Sequence, residues 1–336
     1  MKSLQTFLFF LCATVFPLRA AEITVYSHRH YPSDDVLFAK FTEQTGISVR
    51  VVKAGADELI ERLRAEGDNT RADVLITADA GRLAIAKNAG LLRPIDSDVL
   101  RERIPAPYRD PENQWFGFTR RARVIIYAKD RVNPNELSTY EDLAHRKWRG
   151  RILARSSSHI YNQSLLASMI AANGEQEALA WARGVRANMA RPPQGSDRDQ
   201  MRAVARGLAD IAIVNTYYLG LMHNSPDRND REMAEKLAVF FPNQDDRGIH
   251  MNISGGGVIH ASRNVEAAQQ FLEFLLSDDA QAQFPQTTSE YPVVAGVPLT
   301  EQQQAWGEFK ADELHLGTLG ELNVPAVRLF NLAGWE

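Results

Sequence analysis

Four tyrosines stand where a ligand would meet them. Tyr31 follows the β-rich run 23–27 through His28-Arg29-His30, Tyr161 follows the run 151–154 through a serine stretch, and Tyr217 and Tyr218 follow the run 211–215 directly. In open parallel sheets, ligands bind beyond the carboxyl ends of the strands, where loops converge and helix N-termini point the same way. The chain holds nine tyrosines, so four of them at three such strand ends is a concentration that needs a reason. A phenol with a pKa near 10 binds a cation only if that cation can displace its proton. Fe(III), small, hard and triply charged, is the ion best matched to phenolate oxygen, and tyrosine is the haem-iron ligand in catalase. Taken singly, each tyrosine also reads as half-buried packing with a wet hydroxyl. Tyr217 and Tyr218 together could form an aromatic platform for an organic solute or a cage for a cationic amine. His30 alone reads as a hydrogen-bonded surface histidine. The joint occurrence points to a metal.

Other metals call for other residues. Calcium and magnesium take carboxylates and carbonyls, and zinc takes Cys or His with carboxylate; the chain has neither an H-E-x-x-H pair nor an EF-hand loop. Its one cysteine, Cys12, lies in the opening segment, so a metal centre in the remainder must use oxygen and nitrogen ligands. No G-x-S-x-G elbow occurs, and His28, His30, His159, His223 and His250 have no companion motif that fixes a serine or acidic partner. A binding protein rather than an enzyme is expected.

The elements that must position these residues follow the alternation of an α/β protein. The first 21 residues have the layout of a secretory signal peptide: Lys2, the apolar run 7–17, and Ala20-Ala21. Export to the periplasm is expected. Phe9-Phe10-Leu11 are too bulky for a lipobox at Cys12. About 315 remaining residues suit two lobes. The formal net charge is −4, and leaving out Lys2 and Arg19 makes it about −6, which gives no support for a nucleic-acid partner. Strands are predicted at 23–27, 48–52, 72–77, 123–128, 151–154, 211–215 and 238–241, the signature of a parallel sheet. Helices are predicted at 34–45, 56–66, 162–172, 176–188, 197–207 and 265–277, the first burying Val36, Leu37 and Phe41. Stretches 115–128 and 242–259 read as crossings between lobes. They delimit lobe one (22–118 with 250–297), lobe two (119–249) and a tail (298–336) packed across both.

The segments YSHRHYPSDDVLFAKFTEQTGISVRVV, ADVLITADAGRL, SSHIYNQSLLASMI, ADIAIVNTYYLGLM and SEYPVV resemble, in order and over essentially the whole mature chain, the bacterial periplasmic ferric-iron-binding proteins of ABC importers. The likeness is greatest to the tyrosine-rich FutA type. It implies an α/β, two-lobed type 2 periplasmic-binding-protein (transferrin-like) clamp, each lobe a mixed sheet flanked by helices. It places iron ligands at Tyr31, Tyr161, Tyr217 and Tyr218, and at His30, which matches a histidine that binds iron in only some members. Where other members carry a glutamate used with phosphate or carbonate, this chain has Ala78 followed by Asp79. That departure favours a tyrosine or tyrosine-plus-His30 sphere and puts a synergistic anion in doubt. Arg121 or Arg123 would offset the excess phenolate charge, the alternative being a solvated basic hinge. The implied partners are the ferric ion and an inner-membrane ABC permease, the protein acting as a monomer. The rival of the same fold binds an organic or oxyanion solute, with Ser156 to Ser158 and a Ser254-Gly255-Gly256-Gly257 turn as donors.

Overall fold

Short β-rich runs separated by helix-forming stretches dictate parallel crossovers, and the computed structural model, which describes residues 21–29 and 31–336, opens that way. Strand β1 (Glu22–Ser27) pairs in parallel with β2 (Ser48–Lys53) and β3 (Val74–Thr77), connected through helices α1 (Pro32–Thr45) and α2 (Ala56–Glu66). Helix α1 has Pro32 at its start, where a missing N–H matters least, and stops at Gly46 in the left-handed region, φ 73°. It buries Leu37, Phe38 and Phe41, while Val36 is 54% exposed. The predicted face was therefore rotated: Val36 lies about 200° around the helix from Phe38. Residues 1–20 of the 21-residue signal peptide that the sequence predicts, and His30, lie outside the described residues.

Helices α3 (Ala80–Asn88) and α4 (Asp98–Arg103) are capped by Asp79 and Ser97, whose side chains accept from Gly81 N and Leu100 N. The chain then enters β4 (Phe116–Ala128), long enough to serve two sheets. Residues 116–122 pair with β8 (Met251–Val258), and residues 123–128 pair with β6 (Ile211–Asn215) and β7 (Leu237–Phe240), all antiparallel. The short β5 (Ile152–Leu153) runs parallel to β6, and β9 (Tyr291–Pro292) pairs with Thr119 and Arg120 of β4. The spatial order is β2-β1-β3-β8-β4-β6-β5. Mixed sheets replace the parallel ones that periodicity suggested, because an apolar run carries no direction. The long strands β4 and β8 occupy the two stretches read as crossings.

Gly255, Gly256 and Gly257 do not form a turn. They lie within β8, where added Cβ atoms would run into the carbonyl oxygens of Phe116, Leu75 and Gln114. Their role is close backbone approach between neighbouring segments, so they offer no turn for an anion.

The second half of the molecule adds α5 (Ile160–Asn188), α6 (Asp197–Ala205), α7 (Thr216–His223) and α8 (Arg228–Ala234). Helix α5 is two helices joined at Gly174, φ 81°, in agreement with the predicted break between 172 and 176. Helix α6 opens on a reciprocal capping box between Ser196 and Asp199. Beyond β8 come α9 (Val265–Phe274), α10 (Asp278–Thr288) and α11 (Glu301–Ala305), then α12 (Thr318–Glu321) and α13 (Asn323–Ala333). The tail touches both halves: Gly320 of α12 abuts Ala84 of α3, and the Trp335 indole donates to the Arg155 carbonyl at 3.1 Å. Among the described residues no helix is long and apolar enough to cross a membrane.

Candidate metal centre

Because β5 and β6 are parallel neighbours, the helices that follow them start side by side. The His159 imidazole Nδ1 accepts from Tyr161 N at 3.2 Å and caps α5, leaving Tyr161 in its first turn. Helix α7 starts directly after β6, which puts Tyr217 and Tyr218 in its first turn. The Tyr161 and Tyr217 hydroxyl oxygens come within 3.2 Å of each other. Tyr218 stacks on Tyr217 with ring centres 4.2 Å apart, and Tyr31, the N-cap of α1, meets Tyr217 edge-on at 6.5 Å. All four predicted tyrosines thus join one cluster, with Tyr161 and Tyr217 buried and Tyr31 and Tyr218 half-buried.

Burial pushes the Tyr217 phenol well above its ordinary value, and Tyr161, Tyr218 and Tyr31 add to this while Arg121 opposes it. Burial also raises Tyr31, with Glu290 and Tyr161 contributing and Arg29 opposing, and it raises Tyr218. Tyr31, Tyr217 and Tyr218 are therefore held as neutral phenols, and only an ion able to displace their protons can use them. Burial, reinforced by Arg155 and Arg123, drives the His159 pKa down to about 2, so that ring stays neutral. No group of three His, Cys, Asp or Glu side chains able to hold a metal occurs among the described residues.

Cations surround the rings. The guanidinium carbons of Arg121, Arg155 and Arg123 lie 4.9, 5.6 and 5.8 Å from the Tyr161 ring centre, and that of Arg198 lies 5.7 Å from Tyr218. The two predicted compensating arginines differ in their partners. Arg123 binds Asp197 at 2.5 Å, Asn162 at 2.8 Å and Asn215 at 3.1 Å. Arg121, only 1% exposed, donates to the Ala78 carbonyl but leaves Nε and Nη1 unpartnered, and its carboxylate neighbour Asp79 is 3.9 Å away. A buried guanidinium with two unpartnered nitrogens can accept further negative charge beside it. Negative charge on Tyr161 and Tyr217 would complete its surroundings. A cavity of about 10 Å³ adjoins Arg121, Arg123 and Tyr161; it has room for a water but not for an oxyanion.

Three residues to which sequence reasoning gave no site role hold the cluster in place. Arg29, 5% exposed, forks onto Asp34 at 3.0 and 3.1 Å and reaches Glu290 at 2.7 Å, pinning the loop that presents Tyr31. Burial alone would raise the Glu290 pKa, but Arg29 and Arg121 hold it below the ordinary carboxylate range. Asp79 is fully engaged: it caps α3, accepts from Asn252 at 2.8 Å, and accepts from Ser164 Oγ at 3.0 and 3.1 Å. The Arg-x4-Asp spacing and the glutamate within SEYPVV were the available signals for the first and second.

The sequence family described as bacterial extracellular solute-binding protein matches residues 37–311. Iron uptake protein A1 of Synechocystis sp. is 50% identical over 95% of this chain and 89% of its own length. The major ferric iron-binding protein of Neisseria meningitidis is 26% identical over 94% of each chain. Among solved structures, the Trichodesmium FutA protein in complex with iron and citrate superposes with a TM-score of 0.91 at 49% identity, covering 94% of this chain and 100% of the other. The chain belongs to the bacterial extracellular solute-binding proteins, within the group of the FutA-type iron uptake proteins.

Proposed function

We propose that this protein is a solute-binding component of an ABC importer that captures Fe(III) through the phenolates of Tyr31, Tyr161, Tyr217 and Tyr218. The observation that carries the reading is the 3.2 Å approach of the Tyr161 and Tyr217 hydroxyls within a four-tyrosine cluster ringed by arginines. Relatives named for iron uptake and ferric iron binding support it. His30, beside Tyr31 in sequence, or a water completes the sphere.

The process is capture without turnover. Lobe one (22–118 with 250–297) carries Tyr31, lobe two (119–249) carries the other three, and the tail (298–336) spans both. Ligands drawn from two lobes make the ion bind the closed form more tightly, and that difference is what shifts the population toward it. A membrane permease then receives the closed, loaded monomer in the periplasm. Arg121 balances the phenolate charge.

The test is a visible absorption spectrum of the purified mature protein after addition of ferric citrate. A broad phenolate-to-iron charge-transfer band is expected, and it should vanish in the Tyr217→Phe, Tyr218→Phe double variant. A colourless protein that retains no iron after desalting refutes the reading.

A further inference from the structure

We propose that Gly220, a residue with no side chain to offer a metal, sets how far the cleft closes on the ion and so how long the ion is held. This rests on the ferric reading above. Gly220 lies in α7 three residues beyond Tyr217 and two beyond Tyr218, in ordinary helical backbone where alanine is the better helix former. Space, not conformation, demands the glycine: a Cβ built there would lie 2.5 Å from both Cβ and Oγ of Ser289 and 3.3 Å from Gln302 Oε1.

By the lobe bounds proposed above, Ser289 belongs to the half that carries Tyr31. It ends α10 with φ 57° and is followed by Glu290 and by β9, which pairs with residues 119 and 120 of β4. Glu290 is the carboxylate that holds Arg29, and Arg29 lies 4.9 Å from the Tyr31 ring centre. A single close contact therefore joins the helix bearing Tyr217 and Tyr218 to the segment that positions Tyr31. A second contact flanks the cluster, where Ser164, one turn beyond Tyr161, bonds Asp79. The ligands from the two halves keep their spacing only if Gly220 and Ser289 can approach this closely.

The experiment uses the full mature chain loaded with ferric citrate, following loss of the visible band into excess EDTA together with the radius of gyration from small-angle scattering. Gly220→Ala should release iron about tenfold faster, the scale of an overpacked contact, and should scatter as a more open particle. Adding Ser289→Gly removes the two atoms at 2.5 Å, leaves only the 3.3 Å approach to the flexible end of Gln302, and tolerates φ 57°, so the double variant should recover slow release. Such rescue separates the contact from a general loss of folding. The proposal is overturned if Gly220→Ala matches wild type in rate and dimensions, or if the double variant releases iron as fast as the single one. A wild-type protein that never retains iron refutes the ferric reading instead; the contact is then judged by scattering alone, and equal dimensions for wild type and Gly220→Ala overturn it.

Discussion

The hydroxyls of Tyr161 and Tyr217 meet at 3.2 Å although 56 residues separate them. The cause is topological: β5 and β6 are parallel neighbours, and each is followed by a helix with the tyrosine in its first turn. Removing one hydroxyl leaves the ring packing and deletes only an oxygen donor. Tyr161→Phe should keep its fold, weaken the charge-transfer band and lower ferric affinity more than about 100-fold, beyond the loss typical of an outer-shell partner. A competition titration against citrate measures this, and an unchanged affinity would remove Tyr161 from the sphere.

The raised tyrosines give the site a pH dependence of definite sign. Tyr31 and Tyr217 keep their protons past pH 10 in the empty protein, so a ferric ion that binds both releases at least two protons. Apparent affinity should then fall at least about 100-fold for each pH unit of acidification once the competitor's own titration is allowed for. Stability of the iron-free protein moves oppositely at the alkaline end. A phenol whose folded pKa lies above its unfolded value keeps the native state favoured below pH 10 and weakens it above. Denaturation between pH 9 and 11 should show declining stability, and a flat profile would contradict the phenols' burial.

Arg121 and Arg123, two residues apart on one strand, should separate cleanly under mutation. Arg123→Gln leaves Asp197 without its 2.5 Å partner and should destabilise the fold by about 3–5 kcal/mol, the usual result of breaking a buried pair. Arg121→Gln removes a cation whose Nε and Nη1 have no partner. It should cost less iron-free stability than Arg123→Gln, because its contact with Asp79 is longer, while weakening ferric binding about tenfold. Chemical denaturation and iron competition on both variants decide between these roles, and equal effects on stability would refute the division.

Local pattern carried much of this architecture. The run 211–215 followed at once by Thr216-Tyr217-Tyr218 specified both β6 and the tyrosines' place at its end. The predicted helix end at 45 and the predicted break between 172 and 176 fall at Gly46 and Gly174. Pairings over long sequence distance were not legible: Arg29 with Glu290 spans 261 positions and Ser164 with Asp79 spans 85, and neither leaves a periodic trace. Arg121 and Arg123 could not be ranked from sequence because their distinction lies in Asp197 and Asn162, supplied by other elements. The glycine run 255–257 looked like a turn because glycine usually marks one, whereas here it admits neighbouring backbone.

Arg29 supplies the remaining prediction, because it joins stability to the placement of Tyr31. Lysine at 29 keeps the charge but loses the planar fork that contacts Asp34 through two nitrogens and Glu290 through a third. Glu290 now has a pKa below its ordinary value, so its stabilising contribution is present above the ordinary carboxylate range and is lost as pH falls below it. Arg29→Lys should therefore lower thermal stability at neutral pH and move the acid-unfolding midpoint upward. Ferric affinity should fall as well, through misplacement of the Tyr31 loop. If that is the route, Arg29→Lys and Tyr31→Phe will be non-additive: once the Tyr31 hydroxyl is gone, the lysine should weaken iron binding little further. Fully additive losses in the double-mutant cycle would mean that the Arg29 fork acts on iron binding by a route independent of Tyr31.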